Sequence, residues 1–590
     1  MAAADASHRD EAQHAYGGSM NGAQILVEML KAYKVEVIFG VPGDTTMPLY
    51  DALHAAGSDI RHIMARDERA AGFMADAYAR LTGKPGICEG PSGGGVTYII
   101  PGIAEANGSS IPVICLTTDV PIGDEDRGTL TAINQQDLTR AATKWNTTVK
   151  RADKLPETIR RAFRQATSGR PGAVHIVLPE DILVEEVESP VIAAEEACTV
   201  YPSYRTRGPE SETRRLYELL TGAEHPVIVA GGGAVISQAW DELSELATLL
   251  KIPVGTSING KGSIAEDHPW SIGVIGGNGG KPQANAIIGE ADTIFYVGSR
   301  VNSLITLSST NPGPDSGKTI LQVDADPMQL GNNLPAEVAI CGDAKLVLGD
   351  LVAWARLERG VPSAPPLRSH WERKDLIARL APFWDEFETK SRSEVYPVKP
   401  QRIFAALDRV LPQASVIVAD PGTMTPFTAG AFELRRPGRS IVIPRAHGGL
   451  GYAIPAVVGA KIARPNETVV CLCGDGSFGM SGTELETIGR LNLAVTIVHF
   501  NNGGFGWIKM LQHLYFDDRF FGVDFTTLDY AKIAEGFGVR GVTITHPDQI
   551  EDAIGEATRR NSPTFIDVQT EPEMTEVPPV FAWQKALAGQ

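Results

Sequence analysis

The chain has 590 residues, 43% of them hydrophobic, and a formal net charge of −18. That length leaves room for three or four domains of about 150 residues each, and the hydrophobic content is ordinary for a soluble globular protein. The charge argues against nucleic acid or an anionic membrane as partner, and no apolar run is long enough to span a bilayer.

Residues 1–18 are polar and alanine-rich with no apolar core, and are expected to form a disordered tail. From Gly22 the pattern is α/β. Helical spacing at Ile25, Leu26, Met29 and Leu30 leads to a strand over Val35 to Phe39. A short strand ending at Met64 is followed by Arg66-Asp67-Glu68-Arg69 and an alanine-rich helix from Ala70 to Leu81. The loop Gly90-Pro91-Ser92-Gly93-Gly94-Gly95 and strands near Val113 and Val174 complete a first domain over 19–190, with a glutamate-rich linker over 191–205. A second domain over 206–356 contains strands Pro226 to Ala230, Thr293 to Val297 and Thr319 to Val323. The run Gly231-Gly232-Gly233 fits either a bound nucleotide or tight turns alone. A linker over 357–399, with prolines between Val361 and Pro366 and a charged helical stretch, leads to a third domain over 400–570 and a tail over 571–590. Six cysteines, Cys88, Cys115, Cys198, Cys341, Cys471 and Cys473, form no C-x-x-C pair and read as free thiols in a reducing cytoplasm.

The most informative stretch is Val469 to Trp507. Two apolar strands, Val469 to Cys473 and Ala494 to Phe500, flank a helical segment and end in Gly474-Asp475-Gly476 and Asn501-Asn502-Gly503-Gly504. Open parallel sheets bind ligands beyond such carboxyl ends. Glycines allow phosphate oxygens to approach, Asp475 offers a hard oxygen ligand and Asn502 an amide oxygen. Magnesium takes few protein ligands and completes its octahedron with phosphate and water. A magnesium–diphosphate site split between two strand ends is therefore expected.

Gly474-Asp475-Gly476 with Asn501-Asn502, in which Asp475 and Asn502 lie 27 positions apart, resembles the thiamine-diphosphate motif. From about Gly22 to Val568 the chain resembles the acetohydroxyacid synthase (acetolactate synthase)-like family of thiamine-diphosphate enzymes. The resemblance implies an α/β fold of three doubly wound parallel-sheet domains, in the order pyrimidine-binding, central and diphosphate-binding. It implies Asp475, Asn502 and the Gly504 carbonyl as Mg2+ ligands, and Gly476, Ser477 and Thr423 as diphosphate contacts. Leu450 matches the residue beneath the thiazolium ring, Gly448 the carbonyl that accepts from the 4′-amino group, and Glu68 the catalytic carboxyl that pairs with N1′. Family enzymes build this site across a homodimer, commonly within a homotetramer, which places Glu68 against the cofactor held by the other copy.

Asn134, Gln135, His447, Trp507 and Leu511 stand at or near positions that shape the substrate pocket in the family. Ile133-Asn134-Gln135 replaces phenylalanine–glutamine–glutamate, and Trp507 and Leu511 replace methionine and tryptophan. Acetolactate formation is therefore not the expected reaction. The expected activity is making or breaking a carbon–carbon bond in a 2-oxo acid or 2-hydroxy ketone. Phe478-Gly479-Met480-Ser481-Gly482 is also similar to oxalyl-CoA decarboxylases and 2-hydroxyacyl-CoA lyases, which carry ADP in the central domain, so FAD, ADP or neither remains open there. A non-catalytic paralogue that binds thiamine diphosphate or a nucleotide is a third reading.

Overall fold

The computed structural model describes residues 14–15, 18–360 and 367–589 of the chain. Contacts divide it into two compact units, Met1–Tyr204 and Arg205–Gln590. Three six-stranded sheets carry the architecture, one in the first unit and two in the second, and every pairing within them is parallel.

In the first unit the strands lie in the order Arg61–Met64, Val37–Gly40, Gly86–Gly90, Val113–Asp119, Val174–Pro179 and Trp145–Thr148. The four-residue strand Val37–Gly40 is buried throughout, as expected of a parallel strand covered on both faces. Helix Gly22–Ala32 begins with a reciprocal cap between Asn21 and Gln24 and buries Ile25, Leu26, Met29 and Leu30. Helix Glu68–Thr82 is capped by the Asp67 carboxylate, which accepts from the Arg69 amide, and ends at Gly83 in the left-handed region, φ 76°. It packs tightly on helix Gly94–Gly108, where a Cβ on Gly72 would lie 2.9 Å from the Gly102 Cα.

Of the expected N-terminal tail, 1–13 and 16–17 lie outside the described residues. His14–Ala15 forms a short strand paired with Val191–Ile192, so that part is not free chain. Residues 191–204, expected as a linker, also belong to the first unit and bury Ile192, Cys198 and Tyr201. Among the described residues no helix is long and apolar enough to cross a membrane, and all six cysteines are free.

The central sheet runs Ser271–Val274, Val254–Thr256, Pro226–Ala230, Thr293–Val297, Thr319–Asp324 and Val338–Cys341. Numbered within the domain this is 3-2-1-4-5-6, the order of dinucleotide-binding sheets. Its glycine run has a packing explanation. A Cβ on Gly231 would lie 2.2 Å from the Gly298 carbonyl oxygen, and one on Gly233 2.7 Å from the Gly298 Cα. The expected linker over 357–399 is partly core: 361–366 lie outside the described residues, but Trp371 is buried and helix Arg373–Ser391 follows.

The third sheet runs Ile441–Val442, Val416–Ala419, Val469–Gly474, Val495–Asn501, Thr564–Gln569 and Arg540–Ile544. Within its domain this is 2-1-3-4-6-5, the same order as the first sheet. Within the second unit, a buried ion pair joins the central and third domains. Lys261, at 0% side-chain exposure, binds Glu266, at 4%. The Lys261 ammonium also donates to the Ala429 carbonyl at 3.1 Å. Glu266 accepts from the Leu434 amide at 2.8 Å. Removing one partner of such a pair strands a buried charge, at a cost of about 3–5 kcal/mol. Lys261→Ala should therefore lower the urea midpoint of the transition that unfolds the second unit, while an exposed control such as Lys374→Ala leaves it unchanged.

Candidate active site

A cavity of about 350 Å³ opens where the third sheet reverses its winding, between strands Val416–Ala419 and Val469–Gly474. This switch point is where open α/β sheets take ligands. Thr423, Gly448, Leu450, Asp475, Gly476, Ser477, Asn502 and Gly504 all line it. The eight residues named from sequence for cofactor contact thus converge on one cavity. Its wall also includes Arg445, Phe505, Trp507 and Glu573.

Register creates this convergence. Strands Val469–Gly474 and Val495–Asn501 pair from Val469 opposite Val495 to Gly474 opposite Phe500. Their carboxyl ends therefore finish side by side, and the Asp475 carboxylate takes the Asn502 amide at 2.8 Å and the Gly503 amide at 3.2 Å, both on Oδ2. The other oxygen, Oδ1, is buried and has no hydrogen-bond partner among the described residues, lying 3.9 Å from His499 Nε2. A buried carboxylate oxygen without a donor is what a hard cation satisfies.

Beneath it, His499 is held by Asp567 through Nδ1 at 2.8 Å, and Tyr530 packs on the imidazole with centroids 4.4 Å apart. Burial first, then the nearby Asp475 charge, pushes the Tyr530 phenol above its ordinary pKa.

Glycines shape the remainder. A Cβ on Gly476 would lie 2.5 Å from the Phe505 ring. Gly504 stands opposite Asp524 in an isolated antiparallel bridge, whose hydrogen bonds run from Phe505 N to Val523 O at 2.8 Å and from Phe525 N to Gly503 O at 2.9 Å. In that pattern the carbonyl of Gly504 takes no part in the ladder, and a Cβ at Gly504 would lie 2.4 Å from the Val523 oxygen.

Asp420, at the end of strand Val416–Ala419, fixes the opposite wall. It is fully buried and accepts from the amides of Gly451 at 3.1 Å and Ala453 at 2.7 Å, with the Ser477 hydroxyl as a further donor. These bonds tie the turn that carries Leu450 to the strand below the cavity. Burial nonetheless pushes the Asp420 carboxyl up to about 7. Neither Asp420 nor Glu573 was singled out from sequence, because a lone acid after a strand or in a tail has no distinctive spacing.

Among the residues expected to meet substrate, Trp507 lines the cavity. Leu511 lies outside its lining and packs with Trp583 and Met510 in a separate apolar cluster. His447 is exposed beside the lining residue Gly448. In the first unit, Asn134 caps a short helix by accepting from the Asp137 amide at 3.0 Å. Gln135 is 1% exposed, accepts from Thr117 and donates to the Thr118 carbonyl at 2.8 Å, so its amide is bonded within the domain core.

Glu68 opens its helix at the carboxyl side of the first sheet and is 8% exposed. It sits against the glycine loop, where a Cβ on Gly95 would lie 3.1 Å from its Oε1. Burial raises its pKa, and Asp67 and Glu89 add to the rise. Glu89 is itself buried, accepting from Tyr50 at 2.6 Å and facing His62 at 3.1 Å.

A glycine-lined cleft at the switch point of a parallel sheet, in a chain whose first domain has the same strand order, fits a cofactor-dependent enzyme of the thiamine diphosphate class. Three family models match in order: "Thiamine pyrophosphate enzyme, N-terminal TPP binding domain" over 20–138, the central domain over 213–351 and the C-terminal TPP binding domain over 420–568. The probable acetolactate synthase large subunit of Methanocaldococcus jannaschii is 36% identical over 574 residues, covering 95% of this chain and 94% of its own. The acetolactate synthase isozyme 3 large subunit of Escherichia coli is 32% identical over 554 residues, covering 93% and 94%. The chain belongs to the thiamine diphosphate-dependent enzymes of the acetolactate synthase-like family.

The Asp420 clamp gives a pH test. A carboxyl whose folded pKa is raised stabilises the fold fully below its unfolded value and loses that contribution as pH rises through the folded one. Relative to Asp420→Asn, which cannot ionise, the wild-type apoprotein should lose thermal stability between about pH 4 and the folded value of about 7. Above that value the difference should level off. Melting curves across that range check it, and a constant difference would contradict it.

Proposed function

We propose that this enzyme binds thiamine diphosphate through Mg2+ held by Asp475, Asn502 and the Gly504 carbonyl, and makes or breaks a carbon–carbon bond next to the carbonyl of a 2-oxo acid or 2-hydroxy ketone. The observation that carries the reading is the buried Asp475 Oδ1, without a hydrogen-bond partner among the described residues, in a cavity lined by all eight expected cofactor residues. When bound, thiamine diphosphate supplies the electron sink for such chemistry.

The protein's own residues then have separable tasks. Asp475 and Asn502 supply oxygens to the metal, and the cradle at Gly476 and Ser477 accepts the diphosphate. Thr423 reaches the same cavity from the opposite loop. Leu450, on the turn tied to Asp420, would pack against the thiazolium ring, and the Gly448 carbonyl would accept from the 4′-amino group. Glu68 holds and returns the proton at N1′. Its burial favours the neutral carboxyl, which suits a proton donor to a ring nitrogen.

In a homodimer, the minimum unit of this reading, Glu68 of one copy serves the cofactor held by the other; a homotetramer and a cytoplasmic location accord with it. The relatives' names bring carboligation of the acetolactate synthase type to this chain, and they lend no support to the sequence-based expectation of a different reaction. Trp507, on the cavity wall, is then a residue that selects the acceptor.

Glu68→Gln should retain thiamine diphosphate binding by calorimetry and lose hydrogen–deuterium exchange at the cofactor C2, followed by NMR. Exchange at the wild-type rate would remove Glu68 from the relay. Chelation of divalent metal should release thiamine diphosphate from wild-type protein, and retention after chelation would remove the metal from the reading.

A further inference from the structure

The reading above accounts for two strand ends. It leaves Glu573 unexplained. This residue lies beyond the last strand of the third sheet, Thr564–Gln569, in the segment expected to be a tail. Its side chain nonetheless reaches the cavity wall, and the residue is 3% exposed. Both its carboxylate oxygens lie 3.1 Å from Asn502 Nδ2, and the Thr423 hydroxyl donates to the same carboxylate.

The approach depends on a glycine. A Cβ on Gly506 would lie 2.0 Å from Glu573 Oε2 and 2.4 Å from Asn502 Nδ2, so any other residue there would push the two apart. It also depends on the tail being fastened on both sides of Glu573. The Glu571 amide donates to the Val398 carbonyl at 2.9 Å, and the Glu571 carboxylate takes Lys399 at 3.0 Å. Glu576, 2% exposed, takes Lys399 at 2.7 Å, Lys390 at 2.6 Å and Gln401 at 2.7 Å. Further on, the Gly279 amide donates to the Pro579 carbonyl at 2.7 Å, and Trp583 packs against Trp507 with ring planes inclined at 49° and centroids 4.3 Å apart.

We infer that Glu573 is a positioning residue for the metal site: by accepting from Asn502 Nδ2 it turns the amide so that Oδ1, the only atom of that side chain able to ligate Mg2+, faces the metal. The logic lies in the amide's asymmetry. Asn502 has one acceptor end and one donor end, and a flip exchanges them. Mg2+ takes oxygen ligands, so the flipped amide would present the wrong atom. With the Thr423 hydroxyl and Asn502 Nδ2 both donating to it, Glu573 acts as the acceptor, and in its ionised form it has no proton to donate, so it fixes one orientation. Outer partners of metal ligands commonly act this way, and their loss costs about 10–100-fold in metal affinity. The inference rests on Asp475, Asn502 and Gly504 being the metal ligands.

The test uses the full-length protein with saturating thiamine diphosphate and Mn2+ as the probe, its free concentration read by electron paramagnetic resonance. Glu573→Ala should weaken Mn2+ binding about 10–100-fold, with Glu573→Gln, which keeps one acceptor, falling between it and wild type. The melting temperature of the metal-free protein should change little for Glu573→Gln, which separates positioning from folding. Should Glu573→Ala fail to fold, an affinity for Glu573→Gln equal to wild type overturns the inference. Asp475→Asn serves as the control. Mn2+ loss in Asp475→Asn with undiminished binding in both Glu573 variants overturns the role of Glu573 and leaves the metal assignment standing. Undiminished binding in all three overturns the metal assignment, and the inference with it.

Discussion

The site depends on the register between two adjacent parallel strands, Val469–Gly474 and Val495–Asn501. Because the strands run in the same direction and end at the same level, their terminal loops meet. Asp475 can then accept two amides from the neighbouring loop on one oxygen while the other takes no hydrogen bond among the described residues. A shift of one residue would exchange the side chains packed on the two buried faces of the strand, so core packing and ligand geometry are specified together. The winding of the sheet reverses next to this pair, which opens the cleft beyond Ala419 and Gly474.

Around that constraint the protein spends buried polar groups. Asp420 holds the turn beneath the cavity, His499 and Asp567 form a polar floor, and Glu573 ties Asn502 to the C-terminal segment. Each is expensive to bury alone and tolerable only when hydrogen-bonded. Their concentration beneath one cleft, in a core otherwise built of aliphatic side chains and phenylalanine, marks the cleft as the place where geometry outweighs simple burial.

Much of this was legible in the sequence because parallel strands buried on both faces read as unbroken apolar runs, and the turns after them carry glycine, aspartate and asparagine. Asp475 and Asn502 follow from that punctuation, and Gly504 from the resemblance to thiamine-diphosphate enzymes. Strands such as Val254–Thr256 and Val338–Cys341 were not marked out, being short and lacking a terminal glycine cluster. Gln135 could not be placed, since spacing does not say whether an amide points to a pocket or to Thr117 and Thr118. Glu573 was invisible for a different reason. Its role comes from a contact across 71 positions in sequence, made possible by the missing side chain of Gly506. The tail itself reads as polar chain until Lys390 and Lys399 are seen to neutralise Glu571 and Glu576.

The most direct test of the account is a crystal structure of the protein with thiamine diphosphate and Mn2+, collected at a wavelength where manganese scatters anomalously. The account predicts one manganese peak in the third domain, bounded by the Asp475 carboxylate, the Asn502 amide oxygen and the Gly504 carbonyl, with diphosphate density over Gly476 and Ser477. Diphosphate density in that cleft without manganese at those three oxygens, or manganese bound elsewhere with the cleft empty, would contradict it.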